Sequence, residues 1–145
     1  MEFSRHCTIN WTGAIMEGSG TVAAGSGAFS LPVTFPRRIG EPEGMTSPEE
    51  LMAAAHAACF AMALNGAVGR KGGAIGKTQI TCKVTADKGE AGIKITTSAL
   101  SLVAEGVTGL DAAAFTAVAK EAESKCPVSN AYRGSMTVTL DVVVK

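Results

Sequence analysis

Ser47-Pro48-Glu49-Glu50-Leu51-Met52-Ala53-Ala54-Ala55-His56-Ala57-Ala58-Cys59-Phe60-Ala61-Met62-Ala63-Leu64 is the stretch that decides the fold of this chain. Ser47 stands as the N-cap of a helix, Pro48 as its first residue and Glu50 as its third, an order that satisfies the free amides of a helix start. Good helix formers follow, and the pattern predicts a helix to about Gly66 or Gly69. Beyond Glu50 the run has no charged face. A helix that is apolar all round is buried on all sides, so either two sheets or a second subunit must wrap this one.

The flanking sequence supplies strands. Cys7, Ile9 and Trp11 alternate with Thr8, Asn10 and Thr12, and glycines at 18, 20, 25 and 27 read as turns between short strands. Leu31 to Phe35 is a short extended run limited by Pro36, and Arg37 to Ser47, with Gly40, Pro42 and Gly44, reads as a loop. Further on, Ile80, Cys82, Val84 and Ala86 alternate with polar residues. Gly92 separates them from a run beginning at Ile93 and Ile95, whose phase shifts near Ala99 and Leu100 and so predicts a bulge there. Asp111 caps a second helix, with Leu110 and Phe115 as a hydrophobic staple and Phe115, Val118, Ala119 and Ala122 as its buried stripe. Met136, Val138, Leu140, Val142 and Val144 form a last half-buried strand. Strands, helix, hairpin, helix and strand in that order give an α+β fold, mostly antiparallel, as one domain over residues 1–145.

Composition narrows the function. Thirteen basic and thirteen acidic residues cancel, and no Lys/Arg cluster suited to phosphates is present, so nucleic acid is not an expected partner. Met1 to Trp11 lacks the apolar run of a secretory signal. Leu51 to Leu64, interrupted by His56, falls short of the ~20 residues that span a bilayer, so no membrane association is expected. A cytoplasmic location follows, where cysteines are more often thiols, redox pairs or ligands than permanent staples.

Of the four cysteines, Cys7 and Cys82 fall on the apolar phase of strands, where a thiol acts as a small hydrophobe. Cys59 lies near the middle of the apolar helix, too deep for the helix dipole to activate it. It is either a core thiol or a nucleophile whose cation arrives through the fold. Cys126 precedes Pro127, a position that ends a helix. If Pro127 opens a new short helix, Cys126 is its N-cap; otherwise it sits in a helix-breaking turn.

The segment from Thr46 to Phe60, with its Ala55-His56-Ala57-Ala58-Cys59, resembles the nucleophile helix of the osmotically inducible protein C and organic hydroperoxide resistance (OsmC/Ohr) family. Cys126-Pro127-Val128-Ser129 is similar to that family's second cysteine motif, 126 − 59 = 67 residues on. The order of elements agrees, and the first motif is nearer the osmotically inducible branch. The resemblance implies an OsmC-like fold built as an intertwined homodimer around the buried central helices. It implies a hydroperoxide peroxidase in which Cys59 is the peroxidatic nucleophile, Cys126 resolves it as a disulfide, and a dithiol, suggested to be a dihydrolipoyl group, reduces the pair. It also implies an arginine that holds thiolate and peroxide and a glutamate that orients it. These fall on Arg38, with Arg37 as the alternative, and on Glu49. No metal and no organic cofactor is called for.

Other readings have weaker support in the residues. His56 and Cys59 share a helix face as a base–nucleophile pair would, yet no orienting group or oxyanion turn accompanies them, and a lone His on an apolar helix is more often a hydrogen-bonded core residue. A metal site at Cys59, His56 and Cys126 lacks any Cys-x-x-Cys pair. A thiol redox sensor or a small lipid-binding dimer on the same fold is the non-enzymatic alternative.

Overall fold

In the computed structural model, which describes residues Met1–Lys145, the chain separates into two units, Met1–Leu51 and Met52–Lys145. The first is a meander of β1 (Cys7–Thr12), β2 (Ser19–Ala24) and β3 (Ser30–Val33), all antiparallel. Gly20 pairs with Trp11, and a Cβ at Gly20 would lie 2.8 Å from the indole ring, so only glycine lets that ring lie across the neighbouring strand. All of β1 is exposed. Cys7 therefore does not act as the core-facing hydrophobe its strand phase predicts: this sheet has no apolar layer of its own to cover it.

The loop expected after Phe35 is partly helical. Thr34 caps α1 (Phe35–Ile39), accepting the Arg37 amide on its hydroxyl, and Pro36 sits in the first turn. Pro36 ends the strand, as its missing N–H requires, and then serves as a helix starter.

α2 (Pro48–Arg70) begins in the first unit and continues through the second. Ser47 caps it, its Oγ accepting the Glu50 amide at 3.1 Å, while the Glu50 carboxylate takes the Thr46 hydroxyl at 2.8 Å instead of closing the capping box on Ser47. At 23 residues the helix runs to Arg70 and is long and apolar enough, by length and composition, to cross a membrane; the expectation that it falls short came from stopping the count at Leu64. The expected all-round burial does not occur within one chain. His56, Phe60, Leu64, Ala67 and Val68 are buried, whereas Ala54, Ala58 and Met62 form an exposed apolar stripe.

The second unit holds the core. β4 (Lys77–Gly89) and β5 (Gly92–Glu105) form a hairpin, turned at Glu90-Ala91. Gly92, at φ +118, takes the left-handed strain of that turn. After β5 come α3 (Ala112–Lys125), α4 (Pro127–Tyr132) and β6 (Thr137–Val144), and β6 returns parallel to β5. One parallel pair thus joins three antiparallel ones, because two helices lie between the strands and carry the chain back to its starting end.

The hairpin carries a bulge, but earlier than the residue pattern suggests. Thr85 pairs with Thr97 and Ala86 with Ile95, so Thr96 is the extra residue, and its hydroxyl donates to Thr85 O. From there Ser98, Leu100, Leu102 and Ala104 face inward. Ser98 is a polar residue in the first core position after the bulge, which hid the phase change until Leu100. Against this face pack Phe60, Leu64 and Val68 of α2 and Phe115, Val118, Ala119 and Ala122 of α3, the stripe expected for α3. Each large side chain so buried contributes about 1.5–3 kcal/mol.

Candidate active site

The four residues singled out by the resemblance meet in two pairs, one in each unit. In the first, Arg38 on α1 meets Glu49 in the first turn of α2. The Arg38 Nε donates to Glu49 Oε1 at 2.8 Å and Oε2 at 3.1 Å, and Nη2 reaches Oε1 at 2.8 Å. This fork fixes the guanidinium plane, and within the unit Nη1 engages no partner. Arg37 points elsewhere: its Nη2 pairs with Glu43 at 2.7 Å, on more exposed side chains. Beside Arg38 lies a mainly apolar cavity of about 180 Å³, lined by Ile9, Trp11, Ile15, Val33 and Phe35 among others.

In the second unit, Cys59 projects from the middle of α2 and Cys126 stands between α3 and α4. The Cys126 thiol donates to Cys59 Sγ at 3.2 Å. A disulfide requires about 2.05 Å, so the sulfurs are about 1.2 Å from bonding distance. Cys126 is fully buried and Cys59 half-buried. Cys126 caps α4, its sulfur accepting the Ser129 amide at 3.5 Å, with Pro127 in the first turn. Burial pushes the Cys59 thiol above its ordinary value; the Val128 amide opposes this, and the neighbouring Cys126 adds to it.

His56 is the third polar residue of the apolar helix. It has no exposed surface, and its nitrogens go to serines: Nδ1 lies 2.6 Å from Ser98 Oγ and Nε2 2.7 Å from Ser129 Oγ. Both ring nitrogens are engaged away from Cys59, so no thiol–base pair forms. Burial lowers the His56 pKa most; Glu123 opposes that and Arg133 adds to it. Cys82, on the inner phase of β4 as expected, lies 3.3 Å from Ser98 Oγ. Tyr132 of α4 packs edge-on to His56 with centroids 5.2 Å apart and donates to Met52 O at 2.9 Å. Ser98, Ser129 and Tyr132 carry no signal readable from periodicity, because each becomes polar furniture of the core only through the fold. No three His, Cys, Asp or Glu side chains converge as a metal site requires.

Comparison with known proteins identifies the family. Residues 40–141 match the family of OsmC-like proteins. The chain is 42% identical over 138 residues to peroxiredoxin OsmC of Escherichia coli (strain K12), covering 94% of this chain and 93% of that one. It is 36% identical over 127 residues to the organic hydroperoxide resistance protein OhrA of Bacillus subtilis (strain 168), covering 85% and 86%. Its fold is similar to the crystal structure of an organic hydroperoxide resistance protein OsmC from Legionella pneumophila, with TM-score 0.70, 30% identity and coverage of 94% and 96%.

Proposed function

The chain belongs to the OsmC-like family, and on that premise we propose that it is a thiol-dependent peroxidase that reduces organic hydroperoxides, and hydrogen peroxide as a smaller substrate. The observation that carries the reading is the 3.2 Å approach of the Cys126 and Cys59 sulfurs. The Cys59 thiolate attacks one peroxide oxygen; the O–O bond breaks, the other oxygen leaves as alcohol after taking a proton, and Cys59 becomes a sulfenic acid. Cys126 then attacks that sulfur. The S–S bond forms, and the sulfenic hydroxyl leaves with the Cys126 proton as water. An external dithiol, in this reading a dihydrolipoyl group, accepts the disulfide and restores both thiols.

A free thiol is only about 3% thiolate at neutral pH, and burial of Cys59 works further against ionisation. The reaction therefore needs a cation. We assign that role to Arg38, which keeps its charge when desolvated and has donors beyond those spent on Glu49. Glu49 orients it. Within its own unit Arg38 borders an apolar cavity, a setting compatible with an organic rather than a purely polar ligand. A single functional domain of 145 residues, cytoplasmic and free of metal or cofactor, completes the proposal.

The partner is a second copy. The exposed stripe Ala54, Ala58 and Met62 on α2, with Met62 75% exposed, is an apolar helix face left uncovered in one chain, and Ile9 and Trp11 on β1 are likewise uncovered. We propose a homodimer burying more than about 2,000 Å². Light scattering gives the mass, and Met62→Asp is expected to shift it towards the monomer.

Turnover of tert-butyl hydroperoxide, a fatty-acid hydroperoxide and hydrogen peroxide, with dithiothreitol and dihydrolipoamide in turn, tests the activity. Cys59→Ser is expected to abolish it. Cys126→Ser is expected to consume one equivalent and stop, with mass spectrometry finding Cys59 as sulfenic or sulfinic acid. Undiminished turnover by Cys59→Ser rejects the reading. Consumption of one equivalent by the unaltered protein, with no turnover in excess dithiol, would favour a redox sensor.

A further inference from the structure

Resting on the peroxidase reading above, we propose that His56 is a positioning residue for the resolving step, acting through Ser129 to hold helix α4 and with it the Cys126 sulfur against Cys59. The reaction it governs is the condensation of Cys59 sulfenic acid with the Cys126 thiol, which forms the disulfide and releases water.

α4 has six residues, too few to be stable alone. Its place depends on its anchors. Ser129 is the central one, because it faces two ways: its hydroxyl meets His56 Nε2 at 2.7 Å while its backbone amide donates to Cys126 Sγ. His56 is in turn fixed by Ser98 at Nδ1, on β5. A chain of contacts thus runs from the rigid sheet, through the histidine ring, to the first turn of α4 and the resolving sulfur. Tyr132 is the second anchor, tying the far end of α4 to Met52 O one turn before His56.

Proton accounting gives the chain a direction. A neutral imidazole, favoured here by burial, has one donor and one acceptor. If Ser129 donates to Nε2, then Nδ1–H donates to Ser98 Oγ and the Ser98 hydroxyl donates to Cys82 Sγ at 3.3 Å. The imidazole and both hydroxyl protons then have acceptors, and only the weak Cys82 S–H donor is left without one. The reverse direction places the Cys82 proton on Ser98 but leaves the Ser129 hydroxyl proton without an acceptor, the costlier loss in a buried site, so Nδ1–H is the tautomer that fits. Neither nitrogen is left to take a proton from either catalytic sulfur, which is why the role is positional.

Gln and Asn separate this role from general core packing. A Gln amide at position 56 reaches about where Nε2 stands and can keep Ser129; an Asn amide reaches about where Nδ1 stands and can keep only Ser98. The experiment reacts the fully reduced protein with one equivalent of hydroperoxide in stopped flow. Oxidation of Cys59 and closure of the disulfide are followed separately, with the sulfenic acid trapped by a carbon nucleophile to report its lifetime. Ser129→Ala and His56→Asn are expected to slow closure about tenfold or more, a misplacement effect, while slowing Cys59 oxidation much less. His56→Gln is expected to recover most of the closure rate, and Ser98→Ala to have an intermediate effect. Ser129→Ala removes one hydroxyl and keeps the test alive should His56→Asn fail to fold, which circular dichroism reports. Unchanged closure in a folded Ser129→Ala protein, or equal slowing by Gln and Asn at 56, overturns the inference. Absence of Cys59 oxidation in the unaltered protein would instead remove the peroxidase reading on which it rests.

Discussion

The two units solve the problem of burying apolar residues in opposite ways. In Met52–Lys145 every buried apolar side chain, from Phe60 to Cys126, lies between helices and one face of a sheet. In Met1–Leu51 only Gly18, Gly20 and Thr46 are buried, and Ile9, Trp11, Ile15 and Met16 remain 41–59% exposed. The difference teaches where rigidity is available. The second unit can hold a histidine and the Cys126 sulfur in fixed positions because dense packing surrounds them. The first holds the Arg38 guanidinium by a directed ion pair to Glu49, without a core behind it.

Substitutions can break this contrast. Phe115→Ala, at a site with no exposed surface, is expected to cost the protein about 3–5 kcal/mol, read as a loss in the midpoint of urea unfolding. If Ile9→Ala costs as much, the first sheet is covered in the assembled protein as thoroughly as the second, and the contrast belongs to the isolated chain only. Arg38→Ala, which leaves the largely buried Glu49 carboxylate unpaired, is expected to cost less stability than Phe115→Ala but, on the proposed role, to slow the peroxide step about tenfold to a hundredfold, the order by which loss of an opposite charge moves a thiol equilibrium. Arg37→Ala, whose partner Glu43 is exposed, is expected to change the same rate by less than about threefold. The pH dependence of Cys59 alkylation separates the two: Arg38→Ala moves it to higher pH. A larger shift from Arg37→Ala would reassign the cation.

The gentlest effect concerns pH. The His56 pKa is lowered on folding, so below the ordinary histidine value of about 6.5 the unfolded chain binds a proton that the folded chain refuses. Stability is full above that value and declines as pH falls towards the folded pKa. Glu123 and Arg133, the charges that act on the ring, set how far the decline extends. Melting temperatures between pH 7 and pH 5 test this, with His56→Gln expected to flatten the slope.

Much of the second unit could be read from residues alone. The α3 stripe and the hairpin follow from apolar spacing and the α3 cap from Asp111, as the α2 cap in the first unit does from Ser47, because those patterns are local. The parallel return of β6 was not readable, since pairing direction depends on how two helices route the chain. The bulge was placed late because Ser98 breaks the apolar rule for a reason, His56, that lies 42 residues away. α1 was missed because Pro36 signals both the end of a strand and the start of a helix. Of the site, periodicity marked Cys59 and Cys126 only as thiols in unusual settings. Arg38 and Glu49 came from family resemblance, since nothing in their spacing marks two loop charges as partners.

The 67-residue separation of Cys59 and Cys126 has a consequence for endurance under oxidant. Once the bond closes, the unfolded chain is threaded into a ring, and the loss of its freedom amounts to about 4 kcal/mol on the polymer estimate. The oxidised form is then the sturdier of the two, and unfolding in turn loosens the hold on the bond. A melting curve thereby becomes a gauge of redox state: a peroxide-treated sample melts above its dithiol-treated twin, and Cys126→Ser loses that gain.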